Sequence, residues 1–592
     1  MTVCGWGSMS GMWSGFRAYV LAASACIGAG VVSAGCVSAG SADRWFSPTT
    51  MAELKTQQEY ADFIAARYAA MSGDAPAAAA YYRRAFANEP LDASLLERAT
   101  FSTLISGEAR EASQLVATAS PEVARQSPTA QLVMVVDEIG AGKGHAALQR
   151  LRNNSLGAIN SDMAGFLSAW LASTENMDKG LVELAQVPTR RMLAGEQATI
   201  QGLMFLNAGR DDRAVEAFNQ AQRLPLGSSD IVMSLNARLL ASRGDFDAAR
   251  KLVAMEIDAK GASSLTDHIG AQLETDRAVP RPKLSLRQGA ALVMYIASVG
   301  GVAKASPELA ALRYSLVLRL DPELAPARLA FAEAFNQQDR PEDAIEVLRE
   351  IPATSPWRAQ SLIQQAWLFN GLDRPGEALV AADQALAASK RRDIALGAAD
   401  LNRINGNHER ARKLYDEIIA ADMSTKKPDW RVLFARANAL SAGGNWKAAE
   451  ADAMTALELE PDRPEIQNFL GFGWIENGER VEAGLSLVRK AAAARPDQGY
   501  IVDSLGWAHF KLGQYEEAVT YLERASALSP ADAEIVDHLG DAYWRSGRTA
   551  EARYQWGASL RLSPGPEREQ TLRNKLDKGL PAKPAASLAS RP

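Results

Sequence analysis

The stretch IVDSLGWAHFKLG, residues 501–513, has a near copy 34 residues further along the chain, IVDHLGDAYWRSG at 535–547. The two copies share Ile-Val-Asp, then Leu-Gly, then a final Gly at the same offsets. The first copy also brings Asp503, Ser504 and His509 together within seven residues, and these are the residue types of a hydrolase triad. A structural repeat and an active site are therefore two competing interpretations of the same letters.

The period continues around these copies and favours the repeat. Three kinds of residue recur every 34 or 35 positions, namely Gly444, Gly478, Gly513 and Gly547, then Ala449, Ala483, Ala518 and Ala552, then Pro461, Pro496, Pro530 and Pro564. Each has a physical role in a pair of helices. A small residue at Gly506 or Gly540 lets the first helix approach the second, and a left-handed Gly ends the first helix. The Ala lies where the helices come closest, and the Pro ends the second helix.

This order of marks resembles the tetratricopeptide repeat. The segments NFLGFGWIENGE (468–479), YIVDSLGWAHFKLGQYEEAV (500–519), DHLGDAYWRSGRTAEARYQW (537–556) and KLDKGLP (575–581) resemble exported tetratricopeptide proteins, many of them lipoproteins, of Gram-negative proteobacteria. The resemblance implies an all-α fold, a right-handed superhelical solenoid of antiparallel helix pairs. It also implies a scaffold that binds partner proteins in the cell envelope.

Tracking the small residue at the helix contact backwards predicts the domain organisation. Most steps are 33 to 35 residues, but the step from Ala249 to Ala310 is 61 and contains Pro280 and Pro282. We therefore expect two solenoid segments with an irregular joint. The predicted parts are an export signal (1–36), a linker (37–52), N-terminal repeats (53–260), an irregular helical joint (261–305), C-terminal repeats (306–565), a capping helix (566–580) and a disordered tail (581–592).

The first 36 residues predict export. Arg17 precedes an uncharged run from Ala18 to Gly35, and the run ends in small residues before Cys36. VVSAGC resembles a lipobox, which implies a lipidated Cys36 and an outer-membrane lipoprotein facing the periplasm. The alternatives are cleavage near Ala39 or Ala42 to give a soluble periplasmic protein, an uncleaved anchor, or a later start codon.

The composition and motifs argue against nucleic-acid, metal and nucleotide binding and against hydrolysis. The net charge of -6 does not suggest nucleic acid as a partner, and no Cys follows Cys36, so a Cys-ligated metal is not expected in the repeats. GAGKGH at 140–145 lacks the first Gly and the Ser/Thr of a nucleotide-binding loop. Nothing around Ser504 supplies an oxyanion hole, so a serine hydrolase is the least favoured reading. We expect no enzyme, cofactor, metal or nucleotide.

The resemblance also predicts the working surface, because first helices line the concave groove in this family. The groove positions of two consecutive repeats are Tyr500, Asp503, Trp507 and Phe510, then Asp537, Asp541 and Trp544. Acidic and aromatic side chains suit a basic or apolar peptide. The alternative is that these aromatic residues simply pack between repeats.

The leading hypothesis is therefore a non-enzymatic envelope scaffold that binds protein or peptide partners, in outer-membrane assembly or tethering. A component of envelope polysaccharide export is the alternative.

Overall fold

A computed structural model describes residues 57–154, 156–157, 160–188, 193–224, 229–275, 278–299, 306–563 and 565–581. These residues form α-helices with no strand among them, as the sequence predicts. They belong to two compact units, an N-terminal unit that ends at Leu401 and a C-terminal unit that begins at Asn402.

Most helices of the N-terminal unit form pairs, with a first and a second helix joined by a short turn. In chain order its helices are Gln57–Met71, Ala75–Asn88, Ala93–Ile105, Ala109–Thr118, Pro121–Gln126, Pro128–Gly140, Gly144–Asn153, Ser161–Glu175, Met177–Gln186, Ala194–Asn207, Asp211–Gln222, Ser229–Ser242, Phe246–Lys260, Ser264–Glu274, Leu286–Val299, Pro307–Leu320, Ala325–Gln337, Pro341–Arg349, Arg358–Gly371, Pro375–Ala388 and Arg392–Ile404, the last of which contains the boundary.

The C-terminal unit continues the same pattern. Its helices are His408–Ser424, Trp430–Ala442, Trp446–Leu459, Pro464–Glu476, Val481–Ala494, Gly499–Lys511, Tyr515–Leu528, Ala533–Arg545, Thr549–Arg561 and Pro566–Lys578.

The turn inside most pairs depends on a left-handed backbone. The turn glycines Gly444, Gly478, Gly513 and Gly547 have φ angles between 68° and 84°. Two turns of the N-terminal unit use Asp339 and Asp373 instead, at φ 58° and 57°. Aspartate is among the few residues other than glycine that tolerate this region. The glycine period in the sequence therefore marks turns between helices.

The N-terminal unit has a large apolar core with members from Phe63 to Ile351, and a second apolar cluster that includes Met233 and Ile269. The segment 261–305, expected to be an irregular joint, contributes two helices, Ser264–Glu274 and Leu286–Val299. Every residue from Gly289 to Ser298 in the second of these is buried. This apolar helix lies inside the core of the N-terminal unit, whose boundary with the C-terminal unit is at Leu401.

The last helix closes the C-terminal unit. Leu572 of helix Pro566–Lys578 is fully buried in a cluster with Ala552 and Trp556 of the preceding helix. The other side chains of the helix are largely polar, so the helix covers apolar residues of the last pair with a polar outer face.

Candidate functional site

In the N-terminal unit several first helices are covered by the chain itself. Helix Leu286–Val299 packs on the first helix Ser161–Glu175, and helix Pro307–Leu320 packs on the first helices Ala93–Ile105 and Pro128–Gly140. The approach at Gly289 is so close that a Cβ there would lie 1.8 Å from the indole of Trp170. On these three first helices, the surface that would receive a partner in a repeat array is thus occupied by the chain itself.

Three arginines fix this returning segment at successive points. Arg281 forms an ion pair with Asp211 (2.6 Å), which lowers the pKa of that carboxyl. Arg319 reaches Asp137 at 3.3 Å, and Arg340 donates to two backbone carbonyls that end helix Ala93–Ile105, at 3.0 and 3.1 Å. The contacts run backwards along the array, from residue 211 to residue 105, as the segment runs forwards. These contacts close part of the N-terminal unit to a partner, and the predicted groove residues all lie in the C-terminal unit.

The predicted groove residues of helix Gly499–Lys511 are spaced three, four and three residues apart, which places them on one stripe of the helix. We call this the inner stripe; it consists of Tyr500, Asp503, Trp507 and Phe510. Asp503 is buried, and both of its carboxylate oxygens lie 3.0 Å from Nδ1 of His538 in the next first helix. Burial alone would lower the pKa of His538, but Asp503, with smaller contributions from Glu534 and Asp537, raises it above its usual value. The pair is therefore a buried link between consecutive repeats.

Trp507 is held on both faces of its indole. The ring of Phe510 stacks at 4.6 Å and 8°, and that of His538 at 4.0 Å and 16°. Its Nε1–H donates to Glu476 of the preceding first helix, which also accepts from Lys511 at 3.3 Å. Trp507 therefore joins three successive first helices.

Asp537 and Asp541, the acidic groove residues of the following repeat, share one lysine as their ion-pair partner. The ammonium of Lys575, in the last helix, lies 2.7 Å from Asp537 and 2.8 Å from Asp541. Asp541 also accepts from the Nε1–H of Trp556 at 2.8 Å, and burial raises the pKa of its carboxyl while Lys575 opposes that shift. All three acidic groove positions are thus paired inside the protein.

Trp544 is similarly engaged. Its ring lies 5.4 Å from that of Trp556, and the guanidinium of Arg553 lies 5.2 Å from it. A Cβ at Gly579 would come within 2.0 Å of the indole, so the end of the last helix covers it. Among the predicted groove residues, Tyr500 is the most exposed, at 43%, while Trp507 and Phe510 are half-buried.

The residues of the candidate triad are not assembled. The hydroxyl of Ser504 donates to the carbonyl of Tyr500 at 2.9 Å, within its own helix. Nδ1 of His509 lies 2.6 Å from Oε1 of Gln514, and its ring stacks on Tyr521. The Asp–His pair that does form, Asp503 with His538, joins two repeats and leaves Ser504 outside it.

The residues assigned to the repeat itself occupy the contacts that their size requires. A Cβ at Gly506 would meet Leu522 at 2.7 Å, and one at Gly540 would meet Trp556 at 2.5 Å. Ala518 and Ala552 are fully buried, and Pro530 lies in the turn after helix Tyr515–Leu528. Pro564 and Cys36 lie outside the described residues.

Sequence reasoning missed the partners of the acidic residues. His538, Lys575 and Glu476 complete the inter-repeat contacts, at separations of 35, 34 or 38, and 31 residues. A separation close to one repeat was the available signal, because it places two residues at equivalent heights on neighbouring first helices.

Among the described residues, no cluster of three or more His, Cys, Asp or Glu is suited to a metal ion. Within the same part of the chain, every helix is too short or too polar to cross a membrane.

Comparison with known proteins gives the following matches. The family model described as tetratricopeptide repeat matches residues 363–424 and 504–565. The TPR repeat-containing protein PA4667 of Pseudomonas aeruginosa is 26% identical over 116 residues, which is 20% of this chain and 20% of that protein. The match thus spans about a fifth of the length of this curated relative.

Two solved structures also match. One is a tetratricopeptide repeat protein from Parabacteroides merdae, with 16% identity, coverage of 43% of this chain and 97% of that one, and a TM-score of 0.38. The other is the Cut9–Hcn1 hetero-tetramer of APC/C, with 15% identity, coverage of 91% and 99%, and a TM-score of 0.36. The chain therefore contains tetratricopeptide repeats at residues 363–424 and 504–565, and this repeat fold implies a scaffold for protein–protein interaction.

Proposed function

We propose that this protein is a non-enzymatic scaffold of the bacterial cell envelope, which holds a protein partner on the first helices of its C-terminal unit. Its role would be in assembly or tethering at the outer membrane. The envelope assignment is supported by the apolar leader and by Cys36, which ends a lipobox-like stretch. The scaffold assignment is supported by the repeats themselves.

The observation that carries the choice of surface is the contrast between the two units. Three first helices of the N-terminal unit are covered by helices Leu286–Val299 and Pro307–Leu320, namely Ala93–Ile105, Pro128–Gly140 and Ser161–Glu175. In the C-terminal unit, helix Gly499–Lys511 packs on its own second helix and on adjacent pairs, and Tyr500 at the start of the inner stripe is 43% exposed. An exposed aromatic residue beside half-buried ones is a common anchor for a partner.

The structure also narrows the chemistry of that partner. The carboxylates of Asp503, Asp537 and Asp541 are each less than 10% exposed and have internal partners, so they offer little attraction to a basic peptide. What the inner stripe presents is aromatic area at Tyr500 and Phe510. We therefore favour an apolar segment of the partner over a basic one.

A photo-crosslinking residue tests the surface directly. Replacing Tyr500 by p-benzoylphenylalanine in cells should link the full chain to one discrete protein, identified by mass spectrometry. The matched control is the same replacement at Tyr554, which is 68% exposed but lies on the second helix Thr549–Arg561. Capture of that protein should then weaken in Tyr500→Ala and persist in Tyr554→Ala. Equal capture by both variants would show that the partner binds elsewhere.

The envelope assignment has its own test. Labelled palmitate should enter the wild-type protein and be absent from Cys36→Ser, and the wild type should fractionate with outer membranes. Recovery of the wild-type protein from the cytoplasm, without lipid, would refute this part of the proposal and leave the partner surface intact.

A further inference from the structure

The first helix, Gln57–Met71, is apolar on two faces. One face contributes Phe63, Ala66 and Ala69 to the core. The other exposes the edge stripe, which consists of Ile64, Tyr68 and Met71 at 46%, 75% and 72% exposure. An apolar stripe of this kind is unusual on a helix that is already anchored by its opposite face.

The register of the repeat shows what this stripe corresponds to. Ile64 and Tyr68 lie nine and five residues before the turn glycine Gly73. At the same offsets before Gly209 stand Ile200 and Met204, and both are at most 1% exposed. Their helix, Ala194–Asn207, packs on the two helices of the preceding pair.

A second repeat gives the same result, since Leu235 and Leu239, nine and five residues before Gly244, are at most 7% exposed. In these two repeats, the two offsets are stacking positions that are buried when a pair precedes them. Among the described residues, no pair precedes Gln57–Met71, so its stacking face is uncovered.

A second copy of the chain fits this face poorly. The other end of the array is the last helix, whose exposed residues include Glu567, Gln570, Arg573, Asn574 and Asp577. Head-to-tail stacking would place apolar side chains on these polar ones. A head-to-head dimer would rest on the three side chains of the edge stripe, far fewer than the roughly 20 to 30 residues that each partner contributes to a standard interface.

The segment directly upstream fits it better. Residues 43–56 include Trp45, Phe46 and Pro48, and they remain attached whether the leader ends before Cys36 or near Ala39 or Ala42. The helix from Gln57 to Met71 is ~21 Å long. The twelve residues from Trp45 to Gln57 can span up to ~40 Å when extended, so the aromatic pair can fold back along the whole stripe.

We propose that Trp45 and Phe46, in the segment 43–56, pack on the edge stripe and take the place of the missing repeat. The tether supplies a high effective concentration, so a small apolar contact suffices where it would not hold a second copy. The segment would then cap the amino end of the array, as helix Pro566–Lys578 covers the last pair. This inference does not depend on the partner or the location of the protein.

The test uses p-benzoylphenylalanine in place of Tyr68 in the full chain, with mass spectrometry to map the product. We expect an intramolecular link to residues 43–56. The same residue in place of Tyr554, of similar exposure, should give no such link. Trp45→Ala/Phe46→Ala should abolish the link and should speed amide hydrogen exchange in helix Gln57–Met71, but not in helix Pro566–Lys578.

Three results would overturn the proposal. The first is a product with the mass of two chains, which would indicate a dimer at this edge. The second is a crosslinked product with a different protein. The third is the absence of any link to residues 43–56. Because Tyr68 is 75% exposed, its replacement should leave the fold intact, and unchanged circular dichroism of each variant checks this.

Discussion

Lys575 is the residue whose removal tests the structure most sharply. Its ammonium is the cation shared by Asp537 and Asp541, at 2.7 and 2.8 Å, and only 13% of its side chain is exposed. Lys575→Met keeps most of the side-chain volume and removes the charge. We expect the last two helices to open far more easily in this variant, because two buried carboxylates lose their cation.

The size of the effect follows from the burial of the pair. Breaking a buried ion pair by removing one partner costs about 3 to 5 kcal/mol, and the partial exposure of Lys575 argues for the lower end, about 3 kcal/mol. A change of that size corresponds to a roughly 100-fold increase in the opening equilibrium. Amide hydrogen exchange at pH 7 should therefore be roughly 100-fold faster in helices Thr549–Arg561 and Pro566–Lys578.

The defect should also depend on pH in a definite direction. Burial raises the pKa of Asp541, and Lys575 partly offsets this rise, so the pKa climbs further in the variant. A carboxyl whose pKa is raised by folding stabilises the folded state at pH values below its unfolded pKa of about 3.9, and this contribution is lost as pH rises through the folded pKa. The difference from wild type should thus be smallest in acid and grow toward neutral pH.

Hydrogen exchange measured by mass spectrometry on the full chain resolves these two helices from the rest. Lys578→Met is the matched control, because Lys578 is exposed on the same helix and should exchange like wild type. Asp537→Asn/Asp541→Asn should relieve much of the defect when combined with Lys575→Met. The reasoning fails if Lys575→Met and Lys578→Met exchange at the same rate at pH 7.

Three further predictions concern the rest of the chain. Folding raises the pKa of His538, so its stabilising contribution is complete below pH ~6.5 and is lost as pH rises through the folded pKa. The thermal midpoint of wild type minus that of His538→Gln should therefore decrease as the pH is raised from about 6 to about 9. A constant difference between the two midpoints would contradict this. Gly289→Ala places a Cβ 1.8 Å from Trp170 and should lower the free energy of unfolding by about 3 kcal/mol through overpacking. Gly270→Ala is the control, because a Cβ there has no heavy atom within 4 Å, and it should be neutral or stabilising by up to about 1 kcal/mol in thermal unfolding. Equal effects of the two substitutions would show that the close packing is absent. A fluorophosphonate probe should leave Ser504 unlabelled under conditions that label an active serine hydrolase, and labelling lost in Ser504→Ala would overturn the non-enzymatic assignment.

Short-range features made the fold predictable. Gly513 and Gly547 mark turns because a left-handed backbone favours glycine wherever it occurs. Gly506 and Ala518 mark close helix contacts because their size alone permits the approach. Such requirements are met within one repeat, so they appear in the sequence as a period. The candidate triad could be rejected from the sequence as well, because the 34-residue period explains that stretch as part of a repeat.

The availability of the groove residues could not be predicted in that way. Asp537 and Trp544 have the composition of a binding surface, yet Lys575 and Gly579 of the last helix engage them. Whether a polar stripe faces a partner or the next helix depends on the distance between neighbouring repeats, which the letters of one repeat do not contain.

The sequence by itself determined that the chain is an array of helix pairs, where its turns lie, and which helix of each pair comes first, because each of these depends on the size and backbone freedom of residues close together in the chain. Only the tertiary structure decided that helices Leu286–Val299 and Pro307–Leu320 pack on first helices of the N-terminal unit. It also decided that Asp503 is paired with His538, and Asp537 and Asp541 with Lys575. Those outcomes depend on contacts between residues that lie one or more repeats apart, and such contacts exist only once the repeats are stacked.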